Sequence, residues 1–124
     1  GIGAVPSSVC VVPLRRGRAQ PARPAFFCVH GIGGGVLDYR PLSQALGPEQ
    51  AFYAIQAIGL DGEAPLDASI EEMARRYVEA VRAEQARGPY HLGGYCFGGV
   101  VAFEMARLLV AEGERVALLA ILEG

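Results

Sequence analysis

The stretch that most constrains this chain is Gly93-Gly94-Tyr95-Cys96-Phe97-Gly98-Gly99. An apolar run, Pro89 to Tyr95, leads into it, and a helical pattern from Gly98 to Glu112 leads out. A strand must therefore become a helix across a one-residue corner. The pattern Gly-x-Cys-x-Gly is that of a nucleophile elbow, with sulfur where an oxygen is usual. The central residue sits on a strained turn that lifts its side chain above the end of a sheet. The positions two before and two after it must be small, because a Cβ there would collide across the turn. Gly94 and Gly98 meet that demand.

With 124 residues the chain holds one domain at most, and an apolar content of 52% suffices for a core. A net charge of −2 offers no electrostatic case for nucleic acid or an anionic membrane. No run is long enough to span a bilayer, and no secretory signal begins the chain. The three cysteines, Cys10, Cys28 and Cys96, are odd in number and lack metal-type spacing. Cys28 and His30 share one face of an expected strand, but two ligands do not make a zinc site. No metal and no resident cofactor are expected, and the setting reads as reducing and cytoplasmic. Every basic residue is Arg, and the absence of Lys removes any Walker-type phosphate loop. The start at Gly1, without Met, reads as excision from something longer.

Residues 1–7 read as a linker tail and residues 8–124 as the domain. Ser8 to Leu14 is an expected edge strand. Arg15 to Arg23 is a loop whose arginines read as solvated, with an acidic partner as the alternative. Ala25 to His30 is apolar on both faces, as strands of parallel sheets are. Leu37 to Leu46 carries a helical apolar face, and Pro41 places the helix start near Arg40 or Pro41. Ala51 to Ile58 is a second buried strand, followed by a polar loop, Gly59 to Ala68. Ser69-Ile70-Glu71-Glu72 is a capping box. Ile70, Met73, Ala74, Tyr77 and Val81 then recur at helical spacing, with Arg75, Arg76, Glu79 and Arg82 on a solvated side, until Gly88-Pro89. The helix after the elbow is apolar nearly all round, which predicts burial, and Gly113 ends it. Val116 to Leu122 is wholly apolar. As a bare edge it would invite aggregation, so further sheet is expected beyond Gly124. This order predicts an α/β fold with parallel strands.

A nucleophile at an elbow needs oxyanion donors, a base and an orienting acid. One donor is the backbone N–H of Phe97. The second is expected from His30-Gly31-Ile32-Gly33-Gly34-Gly35, with Ile32 first and Gly31 or Gly33 as neighbours. A dinucleotide fingerprint fails there, because Gly31-x-Gly33 would need Gly where Val36 stands. Glu123 closes the last strand and is the candidate acid, ahead of Asp61 and Asp67. The base should be a His after Glu123, and none follows. His91 lies five residues below Cys96, about 17 Å along an extended strand. His30 reads as a tether for the glycine loop. The base is therefore expected outside these residues.

The segments Phe26-Phe27-Cys28-Val29-His30-Gly31-Ile32-Gly33-Gly34, Tyr39, Gly59-Leu60-Asp61-Gly62-Glu63, Gly88 to Gly99 and Ala102-Phe103-Glu104-Met105-Ala106 resemble the thioesterase domains that end non-ribosomal peptide and polyketide synthases. The resemblance covers nearly the whole chain, but only the N-terminal half of such a domain. It implies an α/β-hydrolase fold, a mostly parallel sheet with flanking helices. The family's acid maps onto Glu123, and its lid and catalytic His fall in the other half. Two departures stand out: Cys96 where the family usually has Ser, and Glu123 where it usually has Asp. The implied activity is release of an acyl or peptidyl chain from the phosphopantetheine of a carrier protein, expected upstream in the same polypeptide. Cysteine points toward cyclisation, to a lactone or lactam, with hydrolysis as the other outcome. An engineered Ser→Cys trap, a stand-alone editing thioesterase, a dienelactone-type cysteine hydrolase and a non-catalytic binding module are the competing readings.

Overall fold

The apolar run before the corner forms the strand Tyr90–Tyr95, and the helix Phe97–Ala111 follows it after a single residue. The computed structural model describes residues 9–15, 24–30, 39–57 and 69–122. In chain order they form β1 (Val9–Arg15), β2 (Phe26–Val29), α1 (Arg40–Leu46), β3 (Phe52–Ala57), α2 (Ile70–Glu84), β4 (Tyr90–Tyr95), α3 (Phe97–Ala111) and β5 (Val116–Leu122). The proposed linker 1–7 and residues 16–23, 31–38 and 58–68, which hold most of the expected loops, lie outside the described residues, while Arg15, expected to open the first loop, ends β1.

Among the described residues the strands make one sheet in the order β1-β3-β2-β4-β5. β2 pairs in parallel with both β3 and β4, and β4 with β5. β1 is the exception: it runs antiparallel along β3, with an irregular register near Pro13. The expected edge strand is thus an edge, but of opposite sense to the rest. From β2 the chain moves to one side through β3, then crosses back to β4 on the other. That reversal opens a crevice at the carboxyl ends of β2 and β4.

Alternation along β2 divides the core. Phe27 and Val29 face α2 and α3, together with Ile55, Leu92, Val101, Met105 and Leu109. Phe26 and Cys28 face the other way, with Phe52, Ala54, Tyr39 and the half-buried Leu42. The Phe26 and Phe52 rings stack at 5.6 Å across neighbouring strands, and Phe27 stacks on Tyr53 at 5.3 Å. Each such side chain removed from water is worth about 1.5–3 kcal/mol.

α2 follows its sequence pattern closely. Ser69 Oγ accepts the Glu72 N–H at 3.0 Å, and Ala74, Tyr77 and Val81 are buried. Arg82 departs from its expected solvated role. Its guanidinium is 2.6 Å from Glu112 and 2.9 Å from Glu114, tying the end of α2 to the residues that follow α3. Glu114 also accepts the Gly88 N–H at 2.8 Å, so one carboxylate joins the entries to β4 and β5. α2 itself stops at Glu84, ahead of Gly88-Pro89, and the Gln85 amide donates to the Arg87 and Pro89 carbonyls.

α3 corrects a second expectation. Its apolar surface is not enclosed all round: Val101, Ala102, Met105 and Leu109 are buried, while Val100, Phe103 and Val110 are more than half exposed. It ends as expected at Gly113, φ +88°, where the Gly113 and Glu114 N–H groups return to the Val110 and Leu109 carbonyls. β5 lies on the outer side of β4, with Leu118 and Ile121 exposed. α1 presents less to the core than its pattern suggested, since Pro41, Ala45 and Leu46 are exposed and Ser43 is buried.

Among the described residues, Ser43 Oγ is buried without a hydrogen-bond partner. A buried hydroxyl in that state costs about 1–3 kcal/mol of desolvation. Ser43→Ala is therefore expected to stabilise the fold by about 1 kcal/mol, read as a higher urea midpoint at unchanged slope.

Candidate active site

The corner is built by steric exclusion. Cys96 has φ 52° and ψ −114°, and it is the non-glycine residue with positive φ among those described. Backbone of that kind costs an L residue about 1–3 kcal/mol and persists only where its surroundings impose it. Here they do. The Cys96 N–H donates to the Leu122 carbonyl at 2.9 Å, and its own carbonyl accepts the Gly99 N–H at 2.9 Å. A Cβ on Gly94 would overlap the Gly98 carbonyl group and approach Gly99 N to 2.6 Å. A Cβ on Gly98 would overlap the Val29 and His30 carbonyl oxygens. The glycines thus let the start of α3 lie directly against the ends of β4 and β2.

The result is an exposed Cys96 thiol at the carboxyl end of β4. Phe97 begins α3, so its N–H belongs to the first turn of a helix, where backbone donors point outward. Cys28 contrasts with Cys96: it is fully buried, and burial pushes its thiol up to about 12, which leaves it protonated and inert. Ile32, Gly31, Gly33, Glu123, Asp61 and Asp67 lie outside the described residues. Of the sequence candidates, the structure brings together Cys96, Phe97, Gly94 and Gly98.

Both histidines are placed by packing. His30 is buried at the end of β2, its Nε2 2.7 Å from the Tyr77 hydroxyl, with its ring edge-on to Tyr77 and 6.3 Å from the Phe97 ring. Burial pushes the Tyr77 phenol up to about 12, so it stays protonated. His30 therefore connects β2 to α2 beside the start of α3. His91 sits in β4 opposite Phe26 and Leu118, edge-on to Phe26 at 6.3 Å. Burial lowers its pKa below the ordinary value and favours the neutral ring.

One residue at this corner carries part of the family resemblance in the sequence but receives no role from it. Tyr39, at the cap position of α1, is 3% exposed. Its hydroxyl donates to the Val29 carbonyl and accepts the Tyr95 N–H at 2.8 Å. The available signal was an aromatic residue just ahead of a helix that Pro41 starts, where it can provide no side-chain cap. Beside it lies a cavity of about 430 Å³, lined among the described residues by Tyr39, Leu42, Tyr95 and Leu122. No group of three or more His, Cys, Asp or Glu side chains suited to a metal ion occurs among the described residues. No helix among them is long and apolar enough to cross a membrane.

Residues 24–124 match the family described as the thioesterase domain. The chain belongs to the thioesterase domain family. The thioesterase domain is 48% identical over 101 residues to malpibaldin synthetase of Mortierella alpina, a match covering 82% of this chain and 2% of that protein. Among solved structures it superimposes on a holo four-domain nonribosomal peptide synthetase bound to AMP and glycine. That match has a TM-score of 0.78 and 38% identity, covering 90% of this chain and 8% of the other. It also superimposes on the NocB thioesterase domain in covalent complex with a fluorophosphonate nocardicin G analogue. There the TM-score is 0.74 and the identity 34%, over 91% of this chain and 49% of the other. The chain thus spans about half of that thioesterase domain's chain and a small part of the synthetases. The mostly parallel sheet, flanking helices and elbow are those of an α/β-hydrolase fold.

Proposed function

We propose that this thioesterase domain releases an acyl or peptidyl chain from the phosphopantetheine thioester of a carrier protein, through an acyl-enzyme on Cys96. The observation that carries the reading is the backbone of Cys96: a costly conformation, held by the close-packed Gly94 and Gly98 and by a bond to the Leu122 carbonyl, with the thiol exposed. Strain of this kind at a surface cysteine serves presentation rather than packing.

In the first step the Cys96 sulfur attacks the thioester carbonyl. The oxyanion is held by the N–H of Phe97 and a second N–H from the residues after β2, with Ile32 the leading choice. The tetrahedral adduct then collapses. The bond to the phosphopantetheine sulfur breaks, and that sulfur leaves as a thiol after taking up the proton that Cys96 gave to a base. The base is a His supplied by the full-length polypeptide and oriented by Glu123. Gly31 and Gly33 let the loop backbone turn its donor inward. In the second step an internal hydroxyl or amine of the acyl chain, or water, attacks the Cys96 thioester and restores the thiol.

Cyclisation is the favoured second step. Exchange of one thioester for another is close to isoenergetic, so the acyl group on Cys96 keeps its activation. An oxoester on serine would have lost that drive before ring closure. A carrier-protein domain of the same polypeptide is the proposed partner, in keeping with relatives that are multidomain synthetases.

The test is intact-mass analysis of the full-length protein after incubation with an acyl N-acetylcysteamine thioester carrying a terminal hydroxyl or amine. The expected result is a mass gain of one acyl group at Cys96, followed by a cyclic product. Cys96→Ser is expected to shift the product ratio toward the hydrolysed acid. No mass gain on the unmutated protein would favour a binding module, and an unchanged product ratio in Cys96→Ser would remove the argument for cyclisation.

A further inference from the structure

We infer that Tyr77 is a positioning residue for the oxyanion donor at Phe97, acting through His30 to hold the start of α3. The inference rests on the acyl-transfer reading above. It starts from two polar groups buried in an apolar part of the molecule. Tyr77 is 1% exposed and His30 is 5% exposed. Tyr77 belongs to the core cluster that also holds Val29, Ile55, Val101 and Met105. A core position that needed only bulk would be served by phenylalanine, which buries no hydroxyl. The Tyr77 hydroxyl instead lies 2.7 Å from His30 Nε2, and this bond joins α2 to the end of β2 across 47 residues of chain.

His30 is fixed in its backbone as well. Its N–H donates to the Ile55 carbonyl at 2.8 Å, which ties it to β3. Its ring stands edge-on to Tyr77, with centroids 5.7 Å apart. The start of α3 then rests on His30 at two places. The Phe97 ring lies 6.3 Å from the imidazole and is tilted 39° to it. Gly98 lies so close to the His30 carbonyl group that a Cβ there would overlap its oxygen and come within 3.0 Å of its carbon. The first contact is made by the side chain of the residue that carries the donor N–H. The second is made by the backbone of the residue after it.

This arrangement gives the donor little room to shift. An oxyanion donor works only where its N–H reaches the place the oxygen takes in the tetrahedral adduct, at about 2.7–3.1 Å. The Phe97 N–H is set by the first turn of α3, and that turn is seated on His30. The imidazole seats it in one way only while its own tilt is held. Tyr77→Phe keeps the aromatic edge against the imidazole and removes the bond to Nε2. A buried imidazole nitrogen deprived of that partner turns toward another or admits water, and the Phe97 ring follows it.

The experiment uses the full-length protein and two rates at the same sulfur. One is acylation by an acyl N-acetylcysteamine thioester, which passes through an oxyanion. The other is alkylation by iodoacetamide, mapped to the peptide containing Cys96, which forms none. In Tyr77→Phe, acylation at saturating thioester is expected to slow by about 10-fold, less than the ~10²–10³-fold that follows outright removal of an oxyanion donor. The half-saturating thioester concentration and the alkylation rate are expected to hold, because the donor acts in the transition state. In a His30→Ala background, Tyr77→Phe is expected to slow acylation no further, since the path through the imidazole is already gone. Equal losses in both rates, no loss in either, or a loss that multiplies with that of His30→Ala would overturn the role given to Tyr77 and leave the acyl-transfer reading intact. Absence of acylation in the unmutated protein would overturn that reading and this inference together. Should either variant fail to fold, Phe97→Leu keeps the apolar volume and gives up the ring contact with His30. The same selective loss of acylation is then expected, and a ratio of acylation to alkylation equal to that of the unmutated protein would overturn the inference.

Discussion

Cys96→Ala is expected to abolish acyl loading of the full-length protein and to lower product release by at least ~10³-fold, on the precedent that loss of a catalytic nucleophile alone costs up to ~10⁶. Its melting temperature should stay close to that of the unmutated protein, because alanine keeps the Cβ that the corner already tolerates. Cys96→Gly should be equally inactive but more stable than Cys96→Ala by about 1 kcal/mol. Glycine avoids roughly 1–3 kcal/mol of backbone strain at φ 52° and costs about 0.5–1 kcal/mol in unfolded-chain entropy. Together these variants separate presentation of the thiol from its chemistry. An acyl mass gain persisting in Cys96→Ala would sink the nucleophile assignment. A Cys96→Gly protein less stable than Cys96→Ala would show that the corner is not strained.

The second large effect is expected at Gly98, where two forces oppose each other. Gly98 lies in the first turn of α3, and alanine is a better helix former by about 1 kcal/mol. On that ground alone, Gly98→Ala would stabilise. The added Cβ, however, overlaps the Val29 and His30 carbonyl oxygens and would lie 3.0 Å from His30 C. These are backbone atoms of the central strand and its end, and no rotamer change can relieve them. Overpacking against movable side chains costs about 1–3 kcal/mol, and a rigid backbone contact sits at or beyond the upper end. Gly98→Ala is therefore expected to destabilise by about 3 kcal/mol net, with acylation lost as α3 is levered away from β2. Urea unfolding of the full-length domain, followed at fixed slope, checks the sign. A neutral or stabilising result would mean that α3 can move freely from the strand ends, against the close packing described here.

Much of the fold was legible from residue pattern alone. Ser69 and Glu72 announced the start of α2, Gly113 the end of α3, and Pro41 the start of α1, because each depends on backbone chemistry within a few residues. The buried strands were legible because a strand covered on both faces must be apolar throughout. The misreadings came where the sign of burial depends on what stands opposite. The apolar surface of α3 predicted enclosure, yet Val100, Phe103 and Val110 are exposed. Arg82 read as solvated because its partners, Glu112 and Glu114, lie some thirty residues away and meet it through the packing of α2 on α3.

The candidate site divides along the same line. The amino-acid sequence by itself determined that Cys96 stands at a corner flanked by Gly94 and Gly98, since only small residues permit that turn and the constraint acts within five positions. It also determined that the fold is α/β, since the elements alternate at their own periods. Only the tertiary structure decided that β1 runs antiparallel, that His30 is held by Tyr77, and that the Tyr39 hydroxyl meets both the Val29 carbonyl and the Tyr95 N–H. Sequence spacing carries no trace of that last contact, because Tyr39 and Tyr95 are 56 residues apart. The contact exists only once α1 and β4 are laid against the same end of β2.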